Sequence, residues 1–266
     1  MNDLHPPNVL LHIVATVVVC FCLAGTGYSA DSAQNMKQKA KKYYLGIGGE
    51  QSYEKALELY LRAAEAGDPE AQYIAGGMYF KGLGTNKDFP KAFKLLLEAA
   101  KKGKKSAESE QILGQGFLLG SGVPKNYQKA LEWYSSSAEN GNREAQNELG
   151  FMYFVGNGVE QNLEKGADLF FRAAYNGLAV AQYNVGIMYL TGKGVKVTDM
   201  EKSYAWLNLA AASGHQPAKG ARTYLESILA QSELQAAQNY SEELLKEISQ
   251  LHLVPSQAPS SSRKTD

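Results

Sequence analysis

Residues 145–180 read AQNELGFMYFVGNGVEQNLEKGADLFFRAAYNGLAV, and this stretch predicts two helices joined by a glycine turn. Small and apolar residues recur at helical spacing from residue 145 to residue 153, which indicates a first helix. That helix is expected to end at Gly156, because glycine can take the left-handed conformation that satisfies the last helix carbonyls. A second helix is predicted over residues 163–176, ending before Gly177.

The same pattern recurs along the chain at steps of 36, 38, 36 and 36 residues, and a sixth, partial copy begins at Ala218. The five full copies start at Asn35, Ala71, Ser109, Ala145 and Ala181. Repeated helix pairs stack into solenoids, because each pair can bury its apolar face only against its neighbours. The sequence therefore predicts an all-α fold, a right-handed α/α solenoid (superhelix) of about five helix-turn-helix repeats over residues 35–217.

A glycine recurs inside the first helix of four copies, although it costs about 1 kcal/mol there relative to alanine. The glycines are Gly76, Gly114, Gly150 and Gly186. Paired small residues such as Ala173-Ala174 recur on the second helix, so we expect the two helices of each repeat to approach closely. A phosphate-cradling role for the Gly-x-Gly pairs would need a preceding strand, and none is predicted.

These recurring residues resemble the Sel-one-like repeat family, a relative of the tetratricopeptide repeat with a slightly longer period. The resemblance covers residues 35–217. It implies an extended surface, built by the first helices, that binds a protein or peptide partner. The first copy departs most from the pattern, since Lys39-Ala40 replaces the Leu-Gly pair and leaves a more polar end repeat.

By resemblance to the tetratricopeptide arrangement, the exposed inner positions lie two, six, nine and ten residues after each copy's start. Many of them are apolar or aromatic, which is typical of a partner site. The predicted protein-binding groove consists of Tyr73, Phe80, Leu118, Leu119, Phe151, Phe154, Tyr183, Ile187 and Leu190. The alternative is that a tight superhelix makes some of these residues part of the core between repeats.

Beyond the repeats, residues 218–252 are predicted to form a pair of C-terminal capping helices. The second of these is expected to open at Ser232 with a Ser-x-x-Gln capping box that ends at Gln235. Its predicted apolar stripe consists of Leu234, Ala237, Leu244, Leu245, Ile248 and Leu251. The tail, residues 253–266, is small, polar and interrupted by proline, so we expect it to be disordered.

The N-terminal residues 1–30 have the character of a signal peptide. An apolar block covers residues 9–24 and small residues follow it, although residues 1–8 contain no Lys or Arg. We therefore expect export to the periplasm or secretion, with no membrane span in the mature chain; an uncleaved membrane anchor is the alternative. Both cysteines, Cys20 and Cys22, lie in this segment, so the mature chain would hold neither a disulfide nor a zinc-thiolate site.

The remaining sequence offers no pattern typical of catalysis. The 27 basic and 27 acidic residues cancel, which argues against a nucleic-acid partner. His215 and His252 have no metal-ligand spacing, and carboxylates such as Glu144, Glu148 and Asp168 fall at predicted solvated helix positions. We predict no catalytic, cofactor or metal site.

The sequence thus favours a non-catalytic interaction scaffold in the bacterial envelope. The alternative is an envelope enzyme or enzyme subunit acting on cell-wall or polysaccharide material, either lactamase-like or an accessory of polymer export. The disulfide-rich pattern of lactam-hydrolysing relatives is absent, which argues against that activity.

Overall fold

A computed structural model describes residues 32–253, and this part of the chain folds into twelve α-helices without a strand. The helices are α1 (32–45), α2 (Tyr53–Glu65), α3 (Pro69–Lys81), α4 (Phe89–Lys101), α5 (Ala107–Leu119), α6 (Tyr127–Glu139), α7 (Arg143–Val155), α8 (Leu163–Tyr175), α9 (Ala179–Thr191), α10 (Met200–Ala212), α11 (Gln216–Ile228) and α12 (Gln231–Leu253). The odd-numbered helices α1 to α11 are the first helices of the repeats, and the even-numbered helices α2 to α10 are the second helices. The predicted all-α repeat solenoid is confirmed.

Contacts divide the chain into two compact units. Unit 1 holds the described residues up to Ser109 together with Leu119–Pro124, and unit 2 holds Glu110–Leu118 and the chain from Lys125 onward. The predicted signal peptide lies outside the described residues, as does the predicted tail apart from the last residue of α12.

One lysine has two roles in every repeat, and neither was predicted. Its backbone N–H donates to the side chain of the residue that caps the second helix, as Lys165 does to Asn162. Its ammonium lies 4.1 to 5.6 Å from the ring centroid of an aromatic residue on the first helix. The pairs are Lys55 with Tyr43, Lys91 with Tyr79, Lys129 with Phe117, Lys165 with Tyr153 and Lys202 with Tyr189. The lysine thus links the start of the second helix to the first helix.

The two glycines of the Gly-x-Gly turn have different structural roles. The first ends the first helix in the left-handed conformation, as Gly156 does at φ 79°. In every full repeat after the first, the second glycine, which we name the stacking glycine, packs against the start of the preceding repeat's second helix. A Cβ at Gly84 would lie 2.4 Å from the Tyr53 carbonyl carbon and oxygen, and one at Gly158 would lie 2.4 Å from Tyr127 Cβ. The stacking glycine therefore allows successive repeats to approach more closely than any residue with a Cβ would permit.

The predicted close approach of the two helices within a repeat is confirmed. A Cβ added at Gly114 would lie 2.7 Å from the Tyr134 ring, and one at Gly186 would lie 2.7 Å from Leu207 Cγ. At Gly150 the nearest atom would be a backbone oxygen of α8, 3.1 Å away. Glycine is therefore present at this position because the partner helix occupies the space of a side chain.

The C-terminal cap differs from the prediction in detail. Helix α12 begins at Gln231, one residue before Ser232, and the predicted box with Gln235 is replaced by a hydrogen bond from Ala230 N–H to Glu233 Oε2 at 2.8 Å. The helix packs against α10. Four of the six predicted stripe residues are buried or half-buried, but Leu245 and Leu251 are exposed because they lie at the flanks of the buried face.

Candidate functional site

The predicted groove residues fall into two groups by exposure. Leu119 and Phe151 are exposed, at 54% and 49% respectively. The others are half-buried, namely Tyr73, Phe80, Leu118, Phe154, Tyr183, Ile187 and Leu190. Three of the nine belong to unit 1, namely Tyr73, Phe80 and Leu119, and six belong to unit 2.

Several of the half-buried residues also contribute to packing between helices. The Phe154 ring centroid lies 5.8 Å from that of Phe170 on α8. In α9, the residues Tyr183, Ile187 and Leu190 pack against a buried cluster that includes Leu207 of α10 and Leu225 of α11. These side chains therefore belong partly to the inner face and partly to the core. This agrees with the alternative stated for the sequence, in which some of the predicted groove residues are core between repeats.

In unit 2, hydrogen bonds and ring contacts hold the first helices α7, α9 and α11 side by side. Asn184 Nδ2 of α9 donates to Asn147 Oδ1 of α7 at 3.0 Å. The Tyr183 ring centroid lies 4.8 Å from that of His215, the residue that caps α11. These contacts join α9 to α7 and to the start of α11.

We name the apolar inner positions of α7 and α9 the inner wall; they are Phe151, Val155, Ile187 and Leu190. Val155 is exposed, although it was not among the predicted groove residues. The prediction also missed Tyr224 and Ile228 of α11, which are 56% and 47% exposed. They lie six and ten residues after Ala218, so the register of the sixth, partial copy could have found them.

Glu148 is not the solvated surface carboxylate that the sequence predicted, because it is half-buried on α7. Burial raises the pKa of its carboxyl, while a hydrogen bond from Asn147 Nδ2 at 3.2 Å opposes that shift. Burial also raises the pKa of the Tyr134 phenol, and the nearby Glu148 charge adds to that effect. Glu144 is exposed, as predicted, and pairs with Arg143.

The raised pKa of Glu148 predicts a pH-dependent stability. The folded state binds this proton more tightly than the unfolded chain, whose carboxyl titrates near 4.5, so the free energy of unfolding falls as pH rises from there through the folded pKa. Glu148→Gln should remove this dependence and raise stability at neutral pH. Urea unfolding across this pH range tests it, with Glu144→Gln as the exposed control on the same helix. An equal response of the two variants would contradict the prediction.

The chemistry available elsewhere in the described part of the chain is limited. His215 Nδ1 accepts a hydrogen bond from Ala218 N–H at 3.3 Å, so this histidine caps α11. His252 lies where side chains are not described. Within residues 32–251 there is no group of three or more His, Cys, Asp or Glu residues that could hold a metal ion. Of the helices from α1 to α12, none is both long and apolar enough to cross a membrane.

Comparison with protein families gives one match that covers most of the chain. The model described as the Sel1 repeat matches residues 37–68, 69–104, 107–142, 143–178 and 179–215. These five segments coincide with the five helix pairs from α1 to α10.

Solved structures with the same repeats are also similar to this chain. A protective antigen present in uropathogenic Escherichia coli strains, which displays an SLR fold, is 25% identical with a TM-score of 0.67; the match covers 88% of this chain and 50% of that one. This chain thus spans half the length of that antigen. A Sel1 repeat protein from Oxalobacter formigenes is 30% identical with a TM-score of 0.56, over 68% of this chain and 73% of that one.

Proposed function

Because this chain belongs to the Sel1 repeat family, we propose that it is a non-catalytic scaffold that holds a partner protein or peptide on the inner wall. Members of this family generally mediate protein–protein interactions. Proteins of this family are typically scaffolds without catalytic activity. The N-terminal apolar block of residues 9–24 supports export, so the proposed place of action is the periplasm or the outside of the cell.

The exposure of Phe151 carries the proposal. Half of this large aromatic side chain is exposed on α7, one helical turn before the exposed Val155, and α9 carries the half-buried Ile187 and Leu190 at its own inner positions. The helix pair does not need Phe151 for its core, because α7 buries Leu149 and Met152 instead. Exposed aromatic residues within an apolar surface are frequent anchors of protein partners.

The test compares capture of a partner by Phe151→Ser and by a matched control. Tyr127→Ser changes an aromatic side chain of similar exposure, 41%, at the start of α6 in the same unit. The purified full chain and both variants would be used as bait for extracts of the bacterial envelope, and recovered proteins identified by mass spectrometry. We expect Phe151→Ser to weaken capture by about tenfold or more, a typical loss for a central aromatic anchor, and Tyr127→Ser to leave it unchanged.

Circular dichroism must show that both variants remain as helical as the original chain. Phe154 is kept intact because its ring packs on Phe170, and its loss would disturb the core. Equal capture by Phe151→Ser and the original chain would overturn the inner wall as the binding site. Recovery of no specific partner by the original chain would overturn the scaffold proposal itself.

A further inference from the structure

The residues at the inner positions change from mostly polar or small to mostly apolar along the series of first helices. Six residues after each copy's start, the chain carries Lys41, Gly77, Gln115, Phe151, Ile187 and Tyr224 in turn. Ten residues after each start it carries Leu45, Lys81, Leu119, Val155, Thr191 and Ile228. A large apolar residue therefore occupies the sixth position only on α7, α9 and α11, all of which belong to unit 2.

Helix α11 belongs to this series although it lies outside the five full repeats. It continues beside α9, because Ile187 of α9 packs with Ala218 and Leu225 of α11 in one cluster. Those two residues provide the buried side of α11. Tyr224 and Ile228 are left on another side of the helix, each about half exposed. Their apolar character is not required by the packing of the cap.

The same three helices present almost no charge at their inner positions. Two, three, six, nine and ten residues after each start, they carry amides, hydroxyls, small residues and large apolar residues. Glu148 is the one acidic or basic residue in this set, and it is half-buried. An acidic or basic partner segment would therefore lose hydration on this surface without gaining a counter-charge.

We propose that Tyr224 and Ile228 extend the inner wall onto α11, and that the extended wall binds an uncharged, extended segment of a partner protein that is rich in large apolar side chains. This inference rests on the proposed function and specifies the partner's chemistry. Neighbouring helix axes lie about 8 to 10 Å apart, so three helices span roughly 20 Å between the outer axes. An extended chain of about six residues covers that distance.

A library of random twelve-residue peptides displayed on phage is the probe. The full chain is used for selection, and one enriched peptide is then synthesised with a fluorescent label for binding measurements. We expect enriched sequences to be aromatic or aliphatic without net charge, and their affinity to be insensitive to salt, because screening acts only on charges. Tyr224→Ser should weaken binding about tenfold, and the double change with Ile228→Ser should weaken it further.

Met200→Ser is the matched control, because Met200 is exposed to 48% at the start of the second helix α10. It should bind like the original chain. Enriched peptides that are acidic or basic, with an affinity that falls as salt rises, would overturn the inferred partner chemistry. If Tyr224→Ser binds the peptide normally and Phe151→Ser does not, α11 does not contribute to the binding surface, and the proposed function still stands. If neither variant changes binding, the inner wall itself is not the site.

Discussion

Gly84→Ala is expected to lower the free energy of unfolding by about 2 to 4 kcal/mol, the largest single effect we predict. Part of the loss comes from the backbone, since Gly84 has φ of 72° and an L-residue in the left-handed region costs about 1 to 2 kcal/mol. The rest comes from the stacking contact. The new Cβ would lie 2.4 Å from the Tyr53 carbonyl, and the backbone of α2 cannot move away without separating two repeats.

Gly48→Ala separates these two contributions. Gly48 is the equivalent glycine of the first repeat and has φ of 78°, but no described atom lies within 4 Å of a Cβ built there. It should therefore show the backbone cost alone. Chemical unfolding of both variants, followed by circular dichroism, measures the difference. If the two variants lose equal stability, the stacking glycine does not determine the contact between repeats.

Gly76→Ala and Gly77→Ala are expected to change stability in opposite directions, although they are neighbours in α3. A Cβ at Gly76 would lie 2.8 Å from Leu96 Cγ and 3.2 Å from the Ala92 carbonyl oxygen. Leu96 is buried and cannot turn away, so overpacking should destabilise the protein by about 1 to 3 kcal/mol. A Cβ at Gly77 would meet no described atom within 4 Å, so alanine should stabilise the helix by about 0.5 to 1 kcal/mol.

The midpoint of urea unfolding provides the readout, with an unchanged slope required so that the comparison reflects stability. The pair is its own control, because helix, backbone conformation and substitution are the same. Stabilisation by Gly76→Ala would show that the two helices of the repeat can separate at little cost. That outcome would contradict the interpretation of the recurring helix glycine at Gly114, Gly150 and Gly186 as well.

The repeat architecture could be predicted from the sequence because its signals are local and occur several times. Helical spacing, the glycine after each first helix and the paired alanines on the second helix all repeat at the same interval. The close approach of the helices within a repeat followed from small residues at matching positions, such as Gly186. Each of these features involves residues within one repeat of about 36 residues.

Features that depend on how one repeat meets the next could not be predicted in this way. The stacking role of Gly158 depends on Tyr127 of the preceding repeat, which a pattern within one copy does not contain. The half-buried state of Glu148 and Ile187 depends on how far neighbouring helices cover the inner face, which periodicity alone leaves open. Tyr224 was overlooked because the partial copy lacks the Gly-x-Gly signal.

The stacking glycine also has a consequence for how such a chain can evolve. Each full repeat after the first provides a glycine that meets the repeat before it, and its second helix provides the surface that the next stacking glycine meets, as α2 does for Gly84 and α6 for Gly158. A full copy therefore encodes both the stacking glycine and the second-helix surface that the next stacking glycine contacts. An in-frame duplication of one copy would insert a complete module with compatible joints at both ends, and it would lengthen the row of first helices by one. The length of the proposed binding surface can thus change by gene duplication while the existing contacts are kept.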